Sequence, residues 1–264
     1  MDPFESLKAA QKEGWAKFAP FEVRTIPCAA QLVKRAGVRA GQRVLDVACG
    51  TGVVAVTAAR IGARVAGVDL TPELLEHARE NARIAEVEID WTEGDVENLP
   101  FVDSAFDVVL SEFGHMMAPR PEIAMAEMLR VLGPGGTIAF STWPPELFSG
   151  RTFDLMASYV LPAPGVPPPP LWGDPGIVRQ RLGSAVRDIR FDRATMLVSA
   201  LSPQHYRATA ERLSGPMIKV VATLEAKDPR KLEEFRRAYD EIVSEYLEDN
   251  LLRQDYLITC ATKV

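Results

Sequence analysis

The residues Asp46-Val47-Ala48-Cys49-Gly50-Thr51-Gly52 carry most of the chemistry that can be read directly from this chain. They follow an apolar stretch and lead into a small, apolar helical pattern, Gly52–Ile61. Glycines at such a strand-to-helix turn let a ligand approach the backbone, and the helix N-terminus offers free amides. Asp69 ends the next apolar stretch, where a carboxylate can accept both hydroxyls of a ribose. The arrangement is that of a nucleotide site. Gly50-x-Gly52-x-x-Ala55 also fits the permissive dinucleotide fingerprint, so an NAD-dependent dehydrogenase competes for it. Asp46 weighs against that reading, because a carboxylate at the strand end opposes a diphosphate and suits an ammonium group. A cationic ligand is expected.

The elements that must position these residues alternate between strand and helix from about residue 43 to residue 143, the signature of a parallel sheet with crossover helices. Strands are expected at Arg43–Ala48, Arg64–Asp69, Val87–Glu93, Phe106–Phe113 and Thr137–Trp143. Helices are expected at Gly52–Ile61, at Thr71–Ile84 with Thr71 as cap and Pro72 at its first position, and at Glu122–Leu132. The last should stop at Gly133-Pro134-Gly135-Gly136 through a left-handed cap.

Residues 3–36 read as two helical pieces broken near Pro20 and Pro27, packed over the strand ends as a cap. Nine of the twenty prolines fall between Pro144 and Pro175, which favours an extended, rigid bridging loop and a lid over the site. Beyond it, a helix from Asp174-Pro175 to Leu182, a strand Ala185–Met196 and a helix Ser202–Leu213 are expected. A long amphipathic helix Asp228–Leu247 and a final strand Tyr256–Ala261 complete the chain. The whole, 1–264, reads as a single domain: a cap at 1–36, a ligand-binding core at 40–143, insertions at 144–226, and a helix with the last strand at 227–264.

Composition narrows the classes. The 264 residues are 47% hydrophobic and 25% charged, ordinary globular usage that disfavours disorder and low-complexity folds. No apolar run is long enough for a membrane span, and Met1 to Ala10 lacks a signal-peptide pattern, so a cytoplasmic protein is expected. A net charge of −6 with interspersed signs leaves no basic footprint for nucleic acid. Cys28, Cys49 and Cys260 lie far apart without Cys/His pairing, so neither a metal site nor a disulfide framework is expected.

Five blocks in order make the chain resemble the class I S-adenosylmethionine-dependent methyltransferases, most like the small-molecule branch with the ubiquinone and menaquinone C-methyltransferases. They are Val44 through Gly52; Val65-Ala66-Gly67-Val68-Asp69-Leu70-Thr71; Glu93-Gly94-Asp95-Val96 with Leu99-Pro100-Phe101; Phe106-Asp107-Val108-Val109; and Leu129 through Gly136. Two departures stand out: Ala48 replaces the usual first glycine, where one methyl should be tolerated, and Gly133 replaces the usual basic residue.

The resemblance implies a Rossmann-like α/β fold with a seven-stranded, mostly parallel sheet in the order 3-2-1-4-5-7-6, its last strand antiparallel. It implies S-adenosylmethionine as cofactor and S-adenosylhomocysteine as product. By the same resemblance Asp46, Ala48, Gly50 and Gly52 surround the methionine part, Asp69 takes the ribose, and Leu70 packs on adenine. Asp95 and Val96 read the adenine edge, and Ser111 lies near the transferring methyl.

Methyl transfer is an in-line displacement, so alignment and water exclusion suffice and a base is optional. If the acceptor must lose a proton, His115 is the first candidate, with Glu112 beside it. The variable segments should build an acceptor pocket from Trp15, Phe18, Phe113, Met116, Met117, Trp143, Trp172, His205 and Tyr206, which suits a small, largely apolar or aromatic molecule. A short-chain dehydrogenase is disfavoured because no Tyr-x-x-x-Lys pair occurs. Amide N-methylation would want an Asn/Asp-Pro-Pro-aromatic motif where this chain has Ser111-Glu112-Phe113-Gly114. A catalytically silent, cofactor-binding partner subunit stays open, as does the choice between monomer and homodimer.

Overall fold

The computed structural model describes residues 3–264. Its strands are β1 (Arg43–Val47), β2 (Arg64–Asp69), β3 (Ile89–Glu93), β4 (Phe106–Glu112), β5 (Leu132–Thr142), β6 (Val186–Ser199), β7 (Leu247–Glu248) and β8 (Leu251–Lys263). Every residue of β1 after Arg43 is buried, so this strand needs neighbours on both edges and cover on both faces. It pairs in parallel with β2 and β4, outside which β3 and β5 add in parallel. β8 runs antiparallel between β5 and β6, giving the order β3-β2-β1-β4-β5-β8-β6. Counting β8 as the seventh strand, this is the expected order. The short β7 folds back on β8 and is an addition that periodicity did not announce.

The helices are α1 (Glu5–Trp15), α2 (Glu22–Ala36), α3 (Val53–Arg60), α4 (Pro72–Ile84), α5 (Pro121–Val131), α6 (Phe148–Tyr159), α7 (Pro175–Leu182), α8 (Pro203–Leu213), α9 (Gly215–Lys227) and α10 (Pro229–Tyr246). The N-terminal cap breaks at Pro20, in a 3-10 turn Ala19–Phe21, but α2 runs unbroken through Pro27. Val23, whose carbonyl loses its partner there, is 68% exposed, so water can serve it. Met1 and Asp2, the first residues of the expected cap, lie outside the described residues.

Three further expectations are corrected. Helix α5 ends at Val131 without a left-handed cap: Leu132 is extended and already pairs with Phe106. The pairing then jumps to Val108 with Thr137, so Gly133 to Gly136 bulge out of β5, and only Gly135 among them has positive φ, at 72°. A side chain at Gly136 would sit 2.8 Å from the Asp107 carbonyl, which explains glycine there. The Pro-rich stretch is not one extended loop, because α6 forms inside it between the prolines at 144–145 and 162. Nor does its later part lie over the site as a lid: Trp172 is 1% exposed, and the Thr142 hydroxyl donates to its carbonyl at 3.0 Å, pinning the segment to β5.

Beneath the glycine turn lies Trp91 of β3. A Cβ on Gly52 would fall 2.5 Å from its ring, and one on Gly67 of β2 would also collide with it. Gly52 therefore serves packing, with φ +79°, while Gly50, at φ +54°, has open space where a Cβ would be. This predicts unequal costs. Gly50→Ala should lose about 1–2 kcal/mol from left-handed strain alone, whereas Gly52→Ala adds overpacking and should lose on the order of 2–4 kcal/mol. Chemical denaturation would measure both, and a Trp91→Leu background should recover part of the Gly52 loss. Equal losses would refute the wedge.

Candidate active site

The C-terminal ends of β1, β2 and β4 open into a cleft lined by Asp46, Ala48, Gly50, Asp69, Leu70, Asp95, Val96, Glu112 and Phe113, among others. Asp46 is 1% exposed. One of its oxygens accepts from the Ala55 amide at 3.0 Å, and the other, Oδ1, has no partner. Glu112 Oε1, at the tip of β4, is likewise buried without a partner. Burial pushes both carboxyls well above their usual range; the charge of Asp46 adds to this at Glu112, and that of Asp69 at Asp46. A positive ligand would relieve both.

Asp69 ties the turn together. Its Oδ2 accepts from the Gly50 amide and its Oδ1 from the Thr71 amide, each at 2.8 Å. Thr71 stands at the N-cap of α4 as expected, but its side chain makes no cap hydrogen bond. Burial raises the Asp69 carboxyl, and these amides oppose the rise. Ala48 sits at φ +51°, and Gly114 makes room for it: a Cβ on Gly114 would fall 2.5 Å from that of Ala48. The Asp95 carboxylate is engaged by Lys8 of α1 at 2.6 Å and by the Glu97 amide at 2.9 Å. Lys8 also meets the buried Glu97, so α1 is latched beside this end of the cleft.

The opposite wall is apolar. Phe113, at φ +60°, stacks flat on Trp143 with centroids 4.0 Å apart and planes 6° apart. Trp15, Phe18, Met117 and Tyr206 also line it, as expected. Other expected residues do not. His115 is fully buried between Phe140 and Trp172, with centroids 4.8 and 4.7 Å away, and neither ring nitrogen has a partner. Burial, then the charge of Arg181, pushes its pKa down to about 3. Met116 and Trp172 are buried outside the lining, and His205 is exposed on α8. Ser111 is spent on structure: its hydroxyl donates to the Val47 carbonyl at 2.7 Å, tying β4 to β1. Gly52 lies outside the lining as well, under the turn.

Residues 44–136 match the family model described as a methyltransferase domain. An uncharacterised protein of Mycobacterium tuberculosis is 38% identical over 235 residues, covering 88% of this chain and 85% of that one. A demethylmenaquinone methyltransferase of Deinococcus radiodurans is 39% identical over 129 residues, 47% of this chain and 53% of that one. Among solved structures, the YcgJ protein of Bacillus subtilis superposes with a TM-score of 0.62 at 19% identity, over 89% of this chain and 98% of that one, a likeness of fold. The chain belongs to the S-adenosylmethionine-dependent methyltransferases.

S-adenosylmethionine is the cofactor of this methyltransferase. The residues present fit it: two buried carboxylate oxygens without partners suit a molecule with an ammonium and a sulfonium charge. Several wall residues escaped the sequence reading, chiefly Phe148, Thr152, Phe153 and Met156 of α6. Their spacing of four, one and three is a helical stripe that could have been read, had the flanking prolines not masked it. Arg24, Met196, Met217, Tyr239 and Gln254 come from five separate elements, and no local pattern unites them.

The burial of His115 has a pH consequence. A histidine held near 3 in the fold and near 6.5 when unfolded lets the unfolded chain bind the extra proton, so stability is lost as pH falls through that window. His115→Leu should flatten this acid limb and leave thermal stability at pH 7 unchanged or higher, since it removes unsatisfied buried nitrogens. Thermal melts of both proteins between pH 4 and 7, roughly the span below the free imidazole pKa, check this; an unchanged acid limb would refute it.

Proposed function

We propose that this methyltransferase moves a methyl group from S-adenosylmethionine to a small, largely apolar or aromatic acceptor and releases S-adenosylhomocysteine. The observation that carries the proposal is one continuous cleft with two unlike ends, the unpartnered acids Asp46 and Glu112 at one and an aromatic and methionine wall at the other. When bound, the cofactor supplies an electrophilic methyl group on a sulfonium. Asp46 and Glu112 balance its positive charges. Asp69, already holding the turn, receives the ribose; Leu70 and Val96 flank the base, and Asp95 accepts from its edge. The Phe113–Trp143 stack holds the acceptor flat and keeps water out, which strengthens every charge interaction inside.

Orientation and dry surroundings do most of the work in this reading. His115 is too buried and too weakly basic to take a proton. Glu112 is the group positioned to take one, should the acceptor need to lose it, because its raised pKa brings it nearer neutrality. The partial likeness to a demethylmenaquinone methyltransferase supports an apolar ring as the acceptor class. The whole chain serves as one methyltransferase domain.

Calorimetric titration with S-adenosylmethionine, S-adenosylhomocysteine and NAD tests the proposal. The first two should bind and NAD should not. Asp69→Ala should weaken both sulfur ligands by about tenfold or more, roughly 1.4 kcal/mol. Glu112→Gln should reduce the preference for S-adenosylmethionine over its product, which lacks the sulfonium charge. Binding of neither sulfur ligand would overturn the proposal.

A further inference from the structure

We propose that the apolar end of the cleft contains a carboxylate-binding subsite built from Arg24, Tyr206 and Tyr239, and that the natural acceptor is therefore an apolar molecule bearing a carboxylate. For the identity of the bound molecule this rests on the methyltransferase reading. The subsite itself stands on its own geometry.

Arg24 lines the cleft with its guanidinium 3.7 Å above the centre of the Phe21 ring. Such stacking fixes the plane of the group and leaves its in-plane N–H bonds available. One of them reaches the Tyr206 hydroxyl at 3.4 Å; Nε is buried and has no partner. Arg24 forms no ion pair among the described residues, and the acid on α10 close to this cluster, Asp240, is taken by Arg207 at 2.8 Å.

The Tyr206 oxygen already accepts from Gln254 Nε2 at 2.8 Å as well as from Arg24. Both lone pairs are used; the Tyr206 and Tyr239 hydroxyls also engage each other, which leaves one phenol proton of the pair to donate to a ligand. Tyr239 lies parallel to Tyr206, with centroids 6.5 Å apart, and burial keeps its phenol protonated. Gln254, Tyr206 and Tyr239 are 2%, 7% and 5% exposed, so the group is built into the protein and not a surface accident.

Phe148 meets the Tyr206 ring at 5.8 Å, and Met156, Met196 and Met217 line the same cleft. Arg24 is half-buried, but its Nε is shielded from water without a partner, and a negatively charged ligand group would supply one. The cluster offers one positive charge and one phenol donor, which match a carboxylate better than a doubly charged phosphate. At the other end the cleft holds acids. With those acids balanced by the cofactor, the guanidinium at the far end is the group that holds a carboxylate-bearing acceptor and orients it along the cleft.

The probes are 2-naphthoate and its neutral counterpart 2-naphthalenemethanol, titrated calorimetrically into protein saturated with S-adenosylhomocysteine. The acid should bind at least about tenfold more tightly at neutral pH. Arg24→Met should abolish that preference while leaving the affinity for the alcohol unchanged, and Arg24→Lys should retain part of it. Tyr206→Phe should reduce it. Equal binding, tighter binding of the alcohol, binding of neither, or a preference that survives in Arg24→Met would overturn the proposal. Should S-adenosylhomocysteine itself fail to bind, the methyltransferase reading falls, and the same pair of probes on the cofactor-free protein still decides the subsite.

Discussion

Desolvated negative charge is the constraint on which this site depends. Asp46 and Glu112 are carboxyls placed at the tips of adjacent strands, each with an oxygen that the protein leaves without a partner. Isolated charges in such surroundings cost several kcal/mol in practice, on the order given for buried ions. A fold optimised only for stability would have removed them. Their retention at the mouth of a nucleotide-binding turn makes sense for a cationic ligand, and the methyl donor of this family is one. The same charges disfavour a pyrophosphate, so the acids that attract one cofactor exclude the other that the glycine pattern alone would admit.

The turn beside these acids is held from below and from the side. From below, Trp91 occupies the space that side chains at Gly52 and Gly67 would need. From the side, Asp69 binds the Gly50 and Thr71 amides and so joins the turn to the end of β2. Ala48 takes a left-handed conformation that a glycine would adopt more easily, and Gly114 yields the room its methyl needs. Glycine has in effect moved from one side of the contact to the other. The N-terminal helix closes this end through Lys8, which bridges Asp95 and Glu97, the latter also paired with Arg120.

The acceptor end is assembled differently. Its walls come from α2, α6, α8, α9 and α10 with single residues from β6 and β8, elements that lie outside the doubly wound core or at its far edge. Aromatic rings meet there edge to face, as Phe148 does with Tyr206 and Tyr246, or flat, as Phe113 does with Trp143. Such packing gives a rigid apolar chamber in which one guanidinium and a few hydroxyls are the polar exceptions. The division is physical: the core supplies backbone amides and acids for the cofactor, and the peripheral helices supply shape for the acceptor.

The strands, the crossover helices and the glycine turn with its acids were legible in the chain as local signals, whereas the sheet order and the roles of Ala48, Leu70, Asp95 and Val96 were what the resemblance to the methyltransferases implied. Asp46, Ala48, Gly50, Asp69, Leu70, Asp95 and Val96 all reach the cleft. Where local signals conflict, tertiary packing decided. Pro27 stays helical because its side of α2 faces water, the Gly133–Gly136 run bulges within a strand instead of capping a helix, and α6 forms between prolines. Burial decided the rest. His115 looked like a base and Trp172 like a pocket wall, yet each completes the other's packing away from the cleft, while Arg24, Tyr239 and Gln254, remote in sequence, converge on it. Residue type and spacing determine which chemistry a chain can hold, but exposure and convergence are properties of the folded whole, and only they determine which groups meet a substrate.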